Sequence, residues 1–378
     1  MKQGWTYRQL KDVTSKISDG SHNPPKGIAY SEYPMLSSKN ILFDDFNYDS
    51  PRYLSKEDFD IENKRTDISD GDVLLTIVGT VGRTCCVQSP FIPFTLQRSV
   101  AVLKPKKEIL ISRFLMYALY SLSDLWENEA KGAAQKGVYL KQLAALSIPT
   151  PPLAEQERIV ERLDAAFAQI DELKSNAERQ LAEARALFQS ALTQAMQPKP
   201  GWQEKTLPDI SENLDSIRVP VTKKNRSTGI YPYYGASGIV DYVDDYLFDE
   251  DLLCISEDGA NLIMRTYPIA FPIKGKVWVN NHAHVLRFNN LTTQKYVEYY
   301  FEGLKLDEYV TGAAQPKLTQ KALNRIVINL PSSINEQQKI VSYLDSLTNH
   351  VKELEEINRK TAAECDALKQ ALLRQIFE

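Results

Sequence analysis

The residues whose types could do chemistry begin at "HNPPK" (22–26). Asn-Pro-Pro followed by an aromatic residue is the loop with which adenine-modifying methyltransferases stack a flipped base, and Lys26 stands where that ring would be. No glycine-rich strand-to-helix turn accompanies it to hold a methyl donor. "GTVGRT" (79–84) has the glycines of a phosphate cradle but not its Lys-Ser/Thr. "HAH" (282–284) has no supporting ligand cluster in the sequence, so no metal site is expected. One of its histidines should pack in a strand and the other should face a loop or nucleic acid. Cys85, Cys86, Cys254 and Cys365 make no CxxC pair, and the adjacent Cys85 and Cys86 could bridge only with severe strain. No carboxylate–lysine set suits a nuclease. The expectation is a non-catalytic chain in a reducing, cytoplasmic setting.

What the loops do carry suits contact with a polyanion, which needs Arg or Lys for phosphates and Asn, Gln, Arg, Lys or His for base edges. In the first part of the chain the candidates are Ser21, His22, Asn23, Lys26, Lys39, Asn40, Arg83, Gln97, Arg98, Gln135 and Lys136. In the second they are Arg218, Lys223, Lys224, Arg226, Tyr233, Tyr234, Ser237, Asn261, Asn281, His282, Gln315 and Lys317. Trp5 and Trp202 open the two parts and are expected in the cores rather than stacked on bases.

The elements that must position these residues come twice. "GWTYRQLKDV" (4–13) returns as "GWQEKTLPDI" (201–210), "GAAQ" (132–135) returns at 312–315, and "EQERIVERLD" (155–164) returns as "EQQKIVSYLD" (336–345). "GDVLLTIVG" (71–79) and "EDLLCISEDG" (250–259) echo each other as short β-rich runs. The order is a mixed α+β segment, a helix, a second such segment and a second helix, with boundaries at 1–152, 153–198, 199–334 and 335–378.

Each helical segment lacks internal Gly and Pro, and apolar or small positions recur at four–three spacing, interrupted by the polar Gln180, Asn358 and Thr361. In the first they are Ile159, Leu163, Ala166, Ile170, Leu173, Ala177, Gln180, Ala184, Leu187 and Ala191. In the second they are Ile340, Leu344, Leu347, Val351, Leu354, Asn358, Thr361, Cys365, Leu368 and Leu372. Seams of one length and phase predict an antiparallel coiled coil with pseudo-twofold symmetry. A helix from Leu153 to Met196 would measure about 66 Å at about 1.5 Å per residue.

The formal net charge is −4, and it resides in the helices: 153–198 holds 8 acids and 5 bases, 335–378 holds 8 and 6. The remainder is nearly neutral, so a nucleic-acid site must be a local patch. No run reaches the roughly 18–20 apolar residues of a membrane span, and "MKQGWTYRQL" has no apolar core like that of a signal peptide.

On "PPLAEQERIVERLD", "INEQQKIVSYLD", the paired "GAAQ", "DGSHNPPKG" and "YPYYGASGIVDYV", the chain resembles the specificity subunits of type I restriction-modification systems. The resemblance implies two target recognition domains reading the halves of a bipartite DNA target, with the helices setting the spacing. It also implies docking of modification (methyltransferase) subunits, two in number, on Gln156, Arg158, Glu161, Gln337 and Lys339. Restriction (nuclease–translocase) subunits would be further partners. S-adenosylmethionine, ATP and Mg²⁺ would belong to those partners and not to this chain. A two-headed protein–protein scaffold without DNA specificity is the alternative.

Overall fold

The computed structural model of the chain describes residues 4–122, 126, 137–312 and 315–378. It divides into two compact units, Met1–Asn176 with Lys360–Glu378, and Ala177–Arg359.

In the first unit, β1 (Thr6–Gln9) pairs antiparallel with β9 (Ser147–Thr150), tying the start of the globular head to its end. The main sheet runs in the order β2 (Thr14–Asp19), β8 (Val100–Pro105), β5 (Val73–Thr76), β6 (Thr84–Cys86), all antiparallel. A smaller sheet orders β4 (Arg52–Tyr53), β3 (Pro34–Leu36) and β7 (Thr95–Leu96), with β3 and β7 parallel. Helices α1 (Lys56–Thr66) and α2 (Ser112–Tyr120) belong to the same head, with shorter helical turns at Leu10–Val13 and Leu140–Ala145. Side chains alternate across a strand, so the apolar run of β5 supplies two cores at once. Val73 and Leu75 join Phe114, Leu115 and Tyr117 on one face, while Leu74 joins Leu36, Phe94 and Leu96 on the other.

The second unit repeats this plan. Strands β10 (Trp202–Thr206) and β19 (Val327–Pro331) close the head as β1 and β9 do. The main sheet orders β11 (Ser211–Asn213), β18 (Ala283–Phe288), β15 (Leu252–Ser256), β16 (Ala270–Ile273). The smaller sheet orders β13 (Gly238–Val243), β12 (Thr228–Gly235), β17 (Lys276–Val279), β14 (Phe248–Asp249), with β12 and β17 parallel. Leu253 and Ile255 of β15 face one core, Leu252 and Cys254 the other. Trp5 and Trp202 are half-buried, edge-on to Phe114 and to Tyr296 respectively.

Helix α3 (Leu153–Ala195) starts where Pro152 O accepts from the amides of Glu155 and Gln156, and α5 (Ile334–Phe377) starts on Ser333 O in the same way. Between them in sequence lies α4 (Leu291–Gly303). Within the first unit, Ile159 and Leu163 near the start of α3 share a core with Leu373 and Ile376 near the end of α5, and Lys174 further along pairs with Asp366. Within the second, Leu192 near the end of α3 meets Ile340 and Leu344 near the start of α5, and Arg185 pairs with Glu355. The helices therefore run antiparallel inside each unit.

The seam departs from its expected positions by one residue on alternate rungs. Phe167 and Leu181 are buried where Ala166 and Gln180 were expected, and Leu173 and Leu187 are exposed, at 56% and 61%. On α5, Lys369 is buried and Leu368 exposed. A single apolar stripe does not fix helix phase when small or apolar residues stand on both sides of it. The bulkier Phe167 and Leu181 take the seam.

Candidate nucleic-acid interface

The "EQxxIVxxLD" motif explains itself once its partners are seen. Gln156 is fully buried: its amide nitrogen donates to Ile109 O and Pro151 O, and its carbonyl accepts from Ile111 N. Gln337 is likewise buried, donating to Pro331 O and accepting from Thr293 Oγ1. The closing aspartates repeat the pattern, Asp164 taking Tyr117 Oη and Arg113, Asp345 taking Tyr299 Oη. The motif clasps each helix to the head it leaves. This corrects the expectation that Gln156 and Gln337 face outward for docking: a buried amide with its hydrogen bonds made has nothing to offer a partner. Arg158, Glu161 and Lys339 are exposed.

In the first unit, the loop after β2 is laced to the loop before β8: Ser21 N donates to Leu96 O at 2.8 Å and Arg98 N to Ser21 O at 2.9 Å. Gly20 makes this approach possible, since a Cβ there would sit 2.0 Å from Leu96 O. The loop after β5 joins them through Ile77 N and Val78 N on Ser99 O, and holds a further segment through a bridge from Val78 to Gly137 and through Val138 N on Ile77 O. These segments line a cleft of about 650 Å³ that includes Asp19, His22, Arg65, Arg98 and Lys141. Asp19 anchors it, accepting from Arg65 and from His22 Nε2 at 2.7 Å.

The second unit brings the corresponding loops together. Glu257 N donates to His282 O, Leu318 N to Glu257 O and Gly259 N to Pro316 O. Beneath them lies an ion network that residue spacing does not reveal, because four separate stretches of chain assemble it. Buried His284 has Nδ1 at 2.6 Å from Asp215 and Nε2 at 2.8 Å from Leu318 O. Arg218 lies 2.7 Å from Glu257 and donates to Ala283 O, and Lys317 lies 3.2 Å from Glu257. Burial alone would raise both carboxyls, but His284 and Arg218 outweigh it and hold Asp215 below the usual range; Arg218, His284 and Lys317 do so for Glu257. Asp215, Glu257 and His284 have ligand atoms within 4.8 Å of one another. Arg218 and Lys317 already supply the positive charge there, so the group is a brace for the loops.

Several sequence candidates are buried, or have their polar groups engaged within the protein. Asn40 is 1% exposed and bonds Asn47 and Asp49 O. Arg218 belongs to the ion network just described. Tyr233 is 1% exposed, with its hydroxyl on the backbone of Val221 and Arg226 stacked 4.2 Å from its ring. Ser21 is buried between the laced loops, and the Asn261 side chain closes a turn onto the Tyr267 backbone. Arg83 and Arg226 are half-buried, donating to Ile41 O and to Asp241. Tyr234 is half-buried against Phe271.

His22, Asn23, Lys26, Lys39, Arg98, Lys223, Lys224, Ser237, Asn281, His282, Gln315 and Lys317 are exposed, and Gln97 is half-buried. The Lys39 ammonium is engaged by Ser50 O. Gln135 and Lys136 lie outside the described residues. Arg65 and Lys141 were missed. Arg65 lies in the last turn of α1, a segment to which the sequence reading gave no role, and Lys141 follows the "GAAQ" stretch without a motif of its own.

The family model for the type I restriction modification DNA specificity domain matches residues 2–183 and again 199–364. The chain belongs to this family. A putative type I restriction enzyme specificity subunit of Haemophilus influenzae is 33% identical over 144 residues, 38% of this chain and 37% of that protein. The EcoBI specificity subunit of Escherichia coli is 34% identical over 146 residues, 38% of this chain and 30% of that protein. The chain thus spans about a third of the length of these curated relatives. Among solved structures, a chain from a study of assembly and conformational transition in the type I R-M system aligns with a TM-score of 0.74 at 18% identity, covering 100% of this chain and 98% of that one. The HsdS subunit from Thermoanaerobacter tengcongensis aligns with a TM-score of 0.56 at 19% identity, covering 100% and 97%. These two likenesses are of fold. No described helix is long and apolar enough to cross a membrane.

Proposed function

We propose that this chain is the DNA sequence-recognition subunit of a type I restriction-modification complex, itself without catalytic activity. The observation that carries the reading is the recurrence, in both units, of one loop cluster at equivalent strand ends with unlike exposed side chains. A shared frame with different polar groups suits a target in two different halves. In the first head the reading groups are His22, Asn23, Lys26, Gln97 and Arg98, joined by Arg65 and Lys141. In the second they are Lys223, Lys224, Asn281, His282, Gln315 and Lys317.

Modification subunits, two in number, dock on the helix faces bearing Arg158, Glu161 and Lys339, and restriction subunits complete the complex. S-adenosylmethionine, ATP and Mg²⁺ are bound by those partners, in the cytoplasm. The domain boundaries follow the repeat, with heads at 1–152 and 199–334 and helices at 153–198 and 335–378.

The test is an exchange of residues 1–152 for the equivalent segment of another family member, followed by sequencing of the methylome. One half of the modified sequence should change and the other persist. Loss of both halves from an assembled complex, or binding that ignores DNA and its salt dependence, would reject the reading in favour of a protein scaffold.

A further inference from the structure

His282 is held in a way that fixes which of its nitrogens faces outward. Its backbone N–H donates to Asn280 Oδ1 at 2.8 Å and its carbonyl accepts from Glu257 N at 2.9 Å. The ring Nδ1 lies 2.8 and 3.0 Å from the two carboxylate oxygens of Asp258. Asp258 is itself fixed by a bridge to Lys317, and its side chain is 13% exposed while that of His282 is 47% exposed. No described residue bonds Nε2 of His282. The imidazole therefore stands out of the loop cluster, oriented on one nitrogen and open on the other, between exposed Asn281 and the Lys317 loop.

An ionised carboxylate only accepts hydrogen bonds, so Nδ1 must carry the proton that Asp258 receives. In the neutral ring this leaves Nε2 as a bare acceptor. An acceptor in the major groove finds its complement in the exocyclic amines, N6 of adenine and N4 of cytosine; thymine O4 and guanine O6 and N7 are acceptors and oppose it. His22 is held the other way round, donating Nε2 to Asp19, so the two heads present different edges of the same side chain.

We propose that His282 reads one base of the second half-site through Nε2, selecting the exocyclic amine of adenine or cytosine, with Asp258 as the positioning residue that fixes the tautomer. The inference rests on the DNA-recognition reading above and deepens it to a chemical preference at one position. Asp258→Asn changes the logic without removing the side chain. An asparagine amide can donate to Nδ1, which moves the ring proton to Nε2 and turns an acceptor into a donor.

The experiment selects duplexes from a randomised pool with the full-length chain, its His282→Ala variant and its Asp258→Asn variant. The parent should enrich adenine or cytosine at one position of one half-site, and the enriched letter distinguishes the two amines. His282→Ala should flatten that position alone, by about tenfold. Asp258→Asn should shift the same position toward guanine or thymine, which a purely structural role would not produce. Replacing the selected adenine by purine, or the cytosine by pyrimidin-2-one, each lacking only the exocyclic amine, should weaken the parent by about the same factor and leave His282→Ala unchanged.

An unaltered selection by His282→Ala overturns the inference while the recognition function stands. So does a parental preference for guanine or thymine at the position that variant flattens, because the ring would then be acting as a donor. If the parent enriches no sequence at all, the recognition reading itself falls, and the inference with it.

Discussion

The glutamines that open the long helices, Gln156 and Gln337, are single residues on which the attachment of helix to head depends. Replacing Gln156 by alanine leaves Ile111 N, Ile109 O and Pro151 O without their partner in a dry site. Each orphaned group costs about 1–3 kcal/mol, so Gln156→Ala should lower the melting temperature by several degrees. Arg158→Ala, on an exposed position, should leave it unchanged. Equal melting curves for the two variants would show that the clasp is not what holds the helix.

The brace in the second unit makes a pH prediction with a definite sign. The Asp215 and Glu257 carboxyls sit below their ordinary values in the folded chain. They contribute stability that is present above the unfolded carboxylate range of about 4 and lost as pH falls through the folded values. Asp215→Asn should cost about 3 kcal/mol at neutral pH, because it breaks a buried pair, and should flatten the acid limb of stability against pH. Asp44 and Glu298 are raised by burial and act in the opposite sense, so the comparison is between variant and parent. A variant whose acid limb keeps the parental slope would exclude the brace.

At the scale of the element, the helices are decided by which side of the apolar stripe carries bulk. Leu181 is 8% exposed and Leu187 is 61% exposed, six residues further along one helix. Leu181→Ala should destabilise by about 2 kcal/mol or more through lost burial and an unfilled cavity, while Leu187→Ala should stay within about 0.5 kcal/mol. Denaturant midpoints measure both, and similar shifts at both positions would refute the observed phase.

The loops form the other element-level test. Lys223→Ala with Lys224→Ala should weaken all duplexes alike and reduce the salt slope by about two, as loss of phosphate contacts does. Gln97→Ala with Arg98→Ala should instead relax one half of the recognised sequence. Fluorescence titrations at several salt concentrations separate these outcomes, and unchanged slopes and affinities would place both loops outside the interface.

For the whole molecule, the helices are each continuous through 43 and 44 residues, and their halves belong to different units. Seven residues inserted between Leu173 and Lys174, with seven more between Asp366 and Ala367 where Lys174 faces Asp366, preserve the heptad phase. They add about 10 Å of helix to the chain joining the heads. The recognised half-sites should keep their letters while the spacer lengthens by about two to three base pairs, some of the change being absorbed by DNA bending. A folded variant that still modifies the original spacing would show that the helices do not set it.

The duplicated order, the two helices and the mixed heads were legible in the sequence because they rest on repetition and on periodicity, which need no third dimension. "EQxxIVxxLD" announced itself as important by occurring twice. Its meaning waited for the structure, because the partners of Gln156 lie at Ile109 and Ile111, some 45 residues away, and only packing brings them near. The same limit governed the site. Residue type alone could not separate the exposed Arg98 from Arg218, which is held by Glu257, or exposed His282 from buried His284, since each pair shares its chemistry and differs only in surroundings. Sequence determined which groups were available to read a polyanion. Tertiary structure decided which remain available, because a polar side chain that has satisfied its hydrogen bonds inside the protein cannot offer them to a ligand.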